Sequence, residues 1–309
     1  MASTLNESLQ PASARMTWTC AVFAHNEAKN ITDCLESLEA AASGLPHPLA
    51  VHVLANGCTD ETESIVAAYV SQHAHVRLVS LPIADKAAAW NHYIHHVAPD
   101  ADMHVMVDGD VQACAGSVGA LAARLNSQPS ARAAAAQPAS GRSRISWSTN
   151  MIHFGRIAGC LYALRGNYVS LLRAQGFAIP KGLIGEDLFL SVVIKDNLRH
   201  GGLFQPAPAL AVEPRALFHF RSLSRRRPGD WSLYAKRLVR YRIRDYQLML
   251  LLEHLERCGP ASLPAHVDEL YASVKAEPAL RWSGRRTALD WLAVGLLRAK
   301  IRSARKQQG

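Results

Sequence analysis

A regular alternation of short apolar runs with segments of helical spacing constrains the fold of this sequence most. The apolar runs are Thr19–Ala24, Leu49–Ala55, Val76–Leu81 and His104–Val107. Segments with helical spacing lie between them, at Asn30–Ala41, Glu61–Gln72 and Lys86–Val97. This cadence predicts an α/β fold with a doubly wound, mostly parallel sheet and right-handed crossovers. Ligands of such sheets bind outside the carboxyl ends of the strands, so the polar residues that follow each run are the candidate site residues.

Charge is distributed unevenly along the chain. Residues Met1–Pro214 carry 14 Lys and Arg against 17 Asp and Glu, whereas Arg215–Gly309 carries 20 against 8. With the helical patterns that follow, this predicts a loose leader over 1–16, a main α/β domain over 17–229 and a basic helical region over 230–309. A basic region of this kind favours an anionic partner, such as a membrane surface, a polyphosphate or a nucleic acid.

The sequence also bears on the compartment of the protein. No apolar run approaches the roughly 20 residues of a membrane-spanning helix, and the start lacks the basic-then-apolar order of a secretory signal. The six cysteines form no CxxC pair, which favours free thiols in a reducing cytoplasm. The helix around Trp291–Ile301 has the composition of an interfacial helix. We therefore expect a cytoplasmic protein, in which this helix either contacts the inner face of the cell membrane peripherally or packs on the main domain.

One segment admits two interpretations. Asn126–Gly141 is rich in Ala, Ser and Pro, as a low-complexity linker would be. Ala133–Gln137 within it fits a thin strand equally well, and the sequence leaves the choice open.

The tripeptide Asp108-Gly109-Asp110 follows the fourth apolar run directly. In an extended backbone the two carboxylates point to the same side and repel each other unless a cation lies between them. Hard oxygen ligands of this kind suit a divalent cation that also binds phosphate oxygens. A polar turn that closes the strand is the alternative, since such tripeptides are common in turns.

Three further groups of polar residues stand out in the second half. Gly185-Glu186-Asp187 precedes an apolar run, so its acids either favour a helix N-terminus or supply a general base. His219 lies among apolar neighbours and is either a satisfied core residue or a ligand. Arg225–Arg227 is either a solvated charge run or an anion-binding group.

Taken in order, these segments resemble the GT-A glycosyltransferases of family 2. The resemblance covers about Thr17 to Asn197 and rests on six segments in the order of the family, namely CAVFAHNEA, NGCTDET, DKAAAWN, VDGDV, GCLYALR and GEDLFL. It implies a nucleotide-sugar donor and residues that bind it, which are Asn26, Glu27, Asn56, Asp60, Lys86, Asn91 and Asp108. It also implies Mn²⁺ or Mg²⁺ on Asp108 and Asp110, with His219 as a further metal ligand. Asp187 matches the catalytic base of the family, and Glu186 lies beside it in the acceptor site.

The sequence departs from the family pattern at two positions. Phe23 stands where the family commonly has proline, and Ala55 where it often has an aspartate that contacts uracil. The nucleobase therefore stays open among UDP, GDP and dTDP donors. The Gln-x-x-Arg-Trp motif of processive relatives is absent, and Arg227–Trp231 (RPGDW) is only a loose counterpart, so a processive polymer synthase is not expected.

The resemblance predicts metal-dependent, inverting transfer of a sugar to an acceptor hydroxyl on a glycan or a lipid-linked molecule. One alternative is a sugar-phosphate nucleotidylyltransferase, which needs a glycine-rich loop where this chain has HNEAKN. A second is an inactive sugar-nucleotide-binding protein, against which the intact acidic segments argue. A nucleic-acid partner is not expected, because the basic region lacks a basic-aromatic binding motif.

Overall fold

An eight-stranded mixed sheet forms the centre of the protein. The computed structural model describes residues 17–43, 45, 48–198, 207–221, 227–274, 277–280, 284 and 287–308. Its strands are β1 Trp18–Ala24, β2 Ala50–Asn56, β3 Val76–Leu81, β4 Met103–Asp108, β5 Val111–Ala113, β6 Ala133–Pro138, β7 Leu161–Arg165 and β8 Leu210–Phe220. They are ordered β3-β2-β1-β4-β7-β6-β8-β5. The predicted leader over 1–16 and residues Arg225 and Arg226 lie outside the described residues.

Helices cover the sheet and extend beyond it. They are α1 Ile31–Ala41, α2 Thr62–Val70, α3 Lys86–His92, α4 Ser117–Ser127, α5 Arg144–Phe154, α6 Gly166–Ala174, α7 Glu186–Lys195, α8 Gly229–Cys258, α9 Glu269–Ala272 and α10 Thr287–Gln308. The predicted helix after β3 reaches Val97, but its last turn, Tyr93–Val97, is π-helical.

The first four strands confirm the parallel arrangement expected from the sequence. β1 pairs in parallel with both β2 and β4, so that Cys20 lies opposite Val51 on one side and Val105 on the other. These side chains are buried, as expected for strands covered on both faces. The carboxyl ends of β1, β2 and β4 therefore lie side by side.

The second half of the sheet mixes directions and curls. β7 runs antiparallel to β4 and to β6, and β8 pairs with β6 in parallel and with β5 antiparallel. Only Gly109 and Asp110 separate β4 from β5, so the Cα atoms of Asp108 and Val111 lie at most about 11 Å apart, at ~3.8 Å per residue. In a flat sheet the two strands would lie about 19 Å apart, at ~4.8 Å per strand. The sheet must therefore curl, which brings β8 near the end of β4.

The Ala-rich segment forms an inner strand rather than a linker. β6 lies between β7 and β8, and Ala133–Ala136 are fully buried. Its small side chains allow helices α4 and α5 to pack closely on this part of the sheet.

The C-terminal helices pack on the main domain and on each other. α8 contributes Leu248 and Leu251 to the main hydrophobic core and Ile243 to a second cluster. α10 buries Leu297 and Ile301 in that second cluster. The expected packing of the α10 apolar face is therefore present, although the division at residue 229 stays a prediction, because α8 belongs to both clusters. Within the ranges described, no helix is both long and apolar enough to cross a membrane.

Candidate active site

A lysine joins the carboxylates of two distant segments at the carboxyl end of β4. Lys86, the first residue of α3, places its Nζ atom 2.5 Å from Asp108 Oδ1 and 2.8 Å from Glu186 Oε1. Asp85 holds the start of this helix, since its carboxylate accepts hydrogen bonds from the backbone N–H groups of Ala88 and Gly182 at 2.8 and 2.6 Å. β4, α3 and α7 thus meet at one ammonium group.

The charges of this group are strongly coupled. Burial disfavours the ammonium, but the attraction of Asp108 and Glu186 outweighs burial and holds the pKa of Lys86 well above its ordinary value. Burial raises the pKa of Asp108 to about 7 against the attraction of Lys86, with Glu186 and Asp110 raising it further. Negative charge thus exceeds positive charge here, and a further cation would relieve the excess.

The segment Asp108-Gly109-Asp110 forms a turn that closes the strand, which is one of the two geometries expected from the sequence, and is not extended throughout. β4 ends at Asp108, and Gly109 and Asp110 turn the chain into β5. The Gly109 N–H donates to the Phe23 carbonyl at 2.8 Å, and a Cβ at this position would lie 3.1 Å from Ala24 Cβ. Glycine therefore lets the turn approach β1, with Asp108 half-buried and Asp110 exposed.

His219 lies on the strand next to this turn. It is exposed on β8 opposite Gln112, two residues after Asp110. The structure does not gather it with Asp108 and Asp110, since no group of three His, Cys, Asp or Glu side chains in the described chain is placed to hold a metal ion. We therefore leave His219 out of the proposed metal site.

Asp187 occupies the first turn of α7, beside Glu186. Its Oδ1 atom accepts a hydrogen bond from the Leu188 backbone N–H at 2.9 Å. Burial raises the pKa of Asp187 to about 6, and repulsion from Glu186 adds to this, while Lys86 and Arg244 oppose it. The carboxylate is thus ionised at neutral pH with a basicity well above that of an ordinary aspartate, as a general base requires.

Helix α8 brings a basic face to Asp187, which sequence reasoning did not place at the site. The Arg244 side chain packs over Gly185, where a Cβ would lie 2.4 Å from Arg244 Cδ. Gly185 also has a positive φ of 77°, so glycine is required there on two grounds. Lys236, Arg237 and Arg240 line the same cavity as Asp187 and Arg244. The recurrence of basic residues at 236, 240 and 244 was a signal for one helical face.

The loops after β1 and β2 are locked together by the predicted donor-binding residues. Asn26, at a φ of 57°, accepts a hydrogen bond from the Thr59 N–H at 2.8 Å. Asp60 accepts one from the Ala28 N–H at 3.1 Å, and hydrogen bonding by Thr62 lowers its pKa. These side chains order the two loops that border the carboxyl ends of the strands.

Two other predicted residues of these loops are more enclosed. Burial raises the pKa of Glu27, whose carboxylate accepts a hydrogen bond from the Asn30 amide at 2.6 Å. Repulsion from Asp110 raises this pKa as well, which indicates that Glu27 lies near the turn after β4. Asn56 is the last residue of β2 and is buried.

Asn91 is hydrogen-bonded to the backbone of the segment before α7. Its amide donates to the Ile179 carbonyl and accepts from the Ile179 N–H, both at 2.8 Å. Because both functions of the side chain are used, Asn91 fixes the segment before α7 against α3. Its expected contact with the donor stays a prediction.

Comparison with known proteins assigns the class. The model of glycosyl transferase family 2 matches residues 19–179, just over half of the 309 residues, and the chain belongs to this family. It is a glycosyltransferase, as the order of its segments predicts, and not a nucleotidylyltransferase. Comparison with curated protein sequences gave no match.

Solved structures share the fold. The mannosyltransferase PcManGT from Pyrobaculum calidifontis, in complex with GDP-Man and Mn²⁺, is 20% identical with a TM-score of 0.56, covering 96% of this chain and 84% of that one. Glucosyl-3-phosphoglycerate synthase from Mycobacterium tuberculosis, with Mn²⁺, UDP and glucosyl-3-phosphoglycerate, is 22% identical with a TM-score of 0.52, covering 79% and 80%. S. aureus TarS 1-349 is 16% identical with a TM-score of 0.50, covering 94% and 89%. The predicted α/β fold with a helical C-terminal region is confirmed.

Proposed function

We propose that this glycosyltransferase moves a sugar from a nucleoside-diphosphate sugar to an acceptor hydroxyl, with Asp187 as the general base. The position of Asp187 carries the proposal. This carboxylate lies directly after Glu186 of the Lys86 network and also lines the cavity beneath α8. One group therefore borders both a region suited to a diphosphate and a region open to an acceptor.

The acidic turn after β4 fits a divalent cation. Asp108 and Asp110 offer hard oxygen ligands. Burial raises the pKa of Asp108, and repulsion from Glu186 and Asp110 adds to this against the attraction of Lys86, so a further cation at this turn would stabilise the ionised carboxylate. Mg²⁺ and similar ions often bind through one or two carboxylates and complete their shell with water and substrate phosphates. We assign Mn²⁺ or Mg²⁺ to these two aspartates; when bound, the ion would neutralise the charge that develops on the diphosphate leaving group. The Mn²⁺ in the PcManGT and mycobacterial synthase structures supports this choice.

The donor would lie across the carboxyl ends of β1, β2 and β4. The loops that Asn26 and Asp60 lock together would border the nucleoside, near Glu27 and Asn56. Lys86 would turn from its two carboxylates toward the phosphates, to which an ammonium donates strong charge-assisted hydrogen bonds. UDP, GDP and dTDP stay open as the nucleotide.

Asp187 would act on the acceptor side. The acceptor oxygen forms a bond to the anomeric carbon while the bond from that carbon to the diphosphate breaks, and the hydroxyl proton passes to Asp187. A base on the face opposite the leaving group gives inversion at the anomeric carbon. Arg244 near Asp187 would keep the carboxylate ionised before the reaction.

The acceptor would be a glycan or a lipid-linked molecule, reached from the cytoplasm. All six cysteines are free, as suits a reducing compartment. On α10, Leu292 and Leu296 are 54% and 46% exposed, and this apolar surface would contact a membrane peripherally. Sedimentation with anionic and neutral vesicles tests this contact, and equal, negligible binding to both would contradict it.

A donor screen tests the proposed function. Nucleotide release from UDP-, GDP- and dTDP-sugars is followed with Mn²⁺ for the natural protein, Asp110→Ala, Asp187→Asn and the control Asp196→Asn, whose acid is exposed at the other end of α7. We expect release from one donor class, abolished by Asp110→Ala, reduced at least a hundredfold by Asp187→Asn and unchanged in the control. Unchanged turnover in Asp187→Asn would remove it from the role of base.

A further inference from the structure

A cavity of about 590 Å³ lies between the start of α7 and the first half of α8. Gly185 and Asp187 line it on one side, and Trp147 of α5 and Tyr241 of α8 supply aromatic surface. Its basic lining residues all belong to α8; they are Lys236, Arg237, Arg240 and Arg244. The cavity is thus lined by one carboxylate and by a strongly basic wall.

Most of the positive charge on this wall is unbalanced. Arg244 contacts Asp245 at 2.8 Å and lies over the Tyr241 ring, 4.7 Å from its centroid. Lys236, Arg237 and Arg240, in contrast, form no ion pair with any described residue. They are exposed to solvent.

The basic residues of the neighbouring helix are used differently. On α10, Lys300 pairs with Asp268 at 2.8 Å and Arg302 with Glu277 at 3.1 Å. A solvated charge run is the ordinary explanation of exposed basic residues, and it would apply to α8 if they were scattered. Lys236, Arg237 and Arg240 instead lie on one face of α8 and line the same cavity as Asp187. This arrangement points to a ligand that supplies the missing negative charge.

Helix geometry gives the distance along α8 between these basic residues and Arg244. Arg240 is one turn and Lys236 two turns before Arg244, which packs beside Asp187. At a rise of 1.5 Å per residue these positions are about 6 and 12 Å along the axis from Arg244. A group held there would belong to the same acceptor molecule as the hydroxyl, several bonds away from it.

We propose, on the basis of the function proposed above, that this cavity is the acceptor site and that it selects an acceptor bearing a phosphate group. The hydroxyl to be glycosylated lies at Asp187, and the phosphate contacts Lys236, Arg237 and Arg240 about 6–12 Å along α8. Arginine suits this role because its planar guanidinium donates two parallel hydrogen bonds to a phosphate. Trp147 and Tyr241 pack against the sugar or polyol between the two groups.

Binding of inorganic phosphate tests the wall directly. The full-length protein is titrated with phosphate by isothermal calorimetry, with Mn²⁺ and the nucleoside diphosphate from the donor screen present at saturation to fill the donor site. The test variant is Arg237→Gln/Arg240→Gln. The matched control is Arg242→Gln/Arg257→Gln, which removes the same charge from α8 residues that line a separate cavity.

We expect phosphate to bind the natural protein and the control equally, and the test variant about 10- to 100-fold more weakly, as the loss of charged hydrogen bonds implies. Equal binding to all three proteins, or no binding to the natural protein, would overturn the proposal. Nucleotide binding is measured on the same samples. If the nucleotide binds while phosphate binding is insensitive to Arg237 and Arg240, the acceptor proposal alone fails; if no nucleotide binds, the proposed function fails.

The phosphate could be carried by a soluble molecule or by a lipid. Kinetics with glycerol 3-phosphate as a competitor and sedimentation with phosphatidylglycerol vesicles distinguish these sources. If Arg237→Gln/Arg240→Gln weakens inhibition by glycerol 3-phosphate but leaves vesicle binding unchanged, the acceptor is a soluble phosphorylated molecule. If the same variant loses vesicle binding, the phosphate belongs to a lipid. If the variant changes neither the inhibition nor the vesicle binding, the basic wall does not bind phosphate and the proposal is wrong.

Discussion

The raised pKa of Asp187 predicts a specific acid limb in the pH profile of sugar transfer. With a pKa of about 6, about nine tenths of the carboxylate is ionised at pH 7 and about one tenth at pH 5. An aspartate at its ordinary value of 3.8 would be almost fully ionised at both. Since a general base must be deprotonated, kcat/KM is expected to fall about tenfold for each pH unit below 6.

Two variants are expected to move this limb in opposite directions. Repulsion from Glu186 is the largest contribution after burial, so Glu186→Gln lowers the pKa of Asp187 and moves the limb to lower pH. Arg244 favours the ionised form, so Arg244→Gln moves the limb to higher pH. The assay is nucleotide release at saturating donor and subsaturating acceptor from pH 4.5 to 8.5, so that the rate reports kcat/KM for the acceptor. Mn²⁺ is kept saturating at each pH, so that protonation of Asp108 does not displace the metal and change the rate profile.

The same pKa shift has a consequence for stability. A carboxyl whose folded pKa is raised stabilises the fold below the unfolded pKa and loses that contribution as the pH rises through about 6. Asp187→Asn removes the buried charge and is expected to stabilise the protein at pH 7.5 by at most about 3 kcal/mol, a melting temperature several degrees higher. At pH 4 the gain should disappear. A flat rate profile from pH 8 to 5, or a lower melting temperature for Asp187→Asn at pH 7.5, would refute the assignment.

Three further substitutions test the supports of the site by chemical denaturation and activity. Asn91→Ala leaves the Ile179 N–H and carbonyl without partners and should destabilise the fold by about 1–3 kcal/mol for each unsatisfied group, with a similar loss in Asn91→Leu. Gly185→Ala places a Cβ against the Arg244 side chain at a position with a positive φ. We expect the free energy of unfolding to fall by about 1–3 kcal/mol and sugar transfer to slow; unchanged stability would contradict the packing of Arg244 over Gly185. Leu297→Ala opens a cavity between α8 and α10 and should cost about 2–5 kcal/mol. A separate early unfolding transition would show that the C-terminal region is an independent unit, and a single transition that it is not.

Local sequence patterns were sufficient for the part of the fold that repeats. Buried parallel strands need continuous apolar runs, and crossovers need helices, so the first four strands could be located within a residue or two. Their carboxyl ends then brought Asp108 and Lys86 together, because parallel strands end on one side of a sheet. Gly185 could be identified as the start of a helix from its two following acids.

The curled half of the sheet could not be derived from the sequence in the same way. Ala133–Pro138 lacks the β-branched residues of a typical strand, and it is a strand because β7 and β8 supply partners on both sides. The turn at Asp110 likewise follows from closure of the sheet, since β5 must reach β8 within a few residues of β4.

What the sequence alone determined is the family, the order of its elements and the acidic residues of the site, because each depends on neighbours along the chain. Only the tertiary structure decided what surrounds those acids. The pKa of Asp187 depends on burial beneath segments far away in sequence, and Arg244 reaches it across 57 residues only because α8 packs on the main core. Charge interactions act through space, so the basic wall beside Asp187 is invisible until the helix is placed.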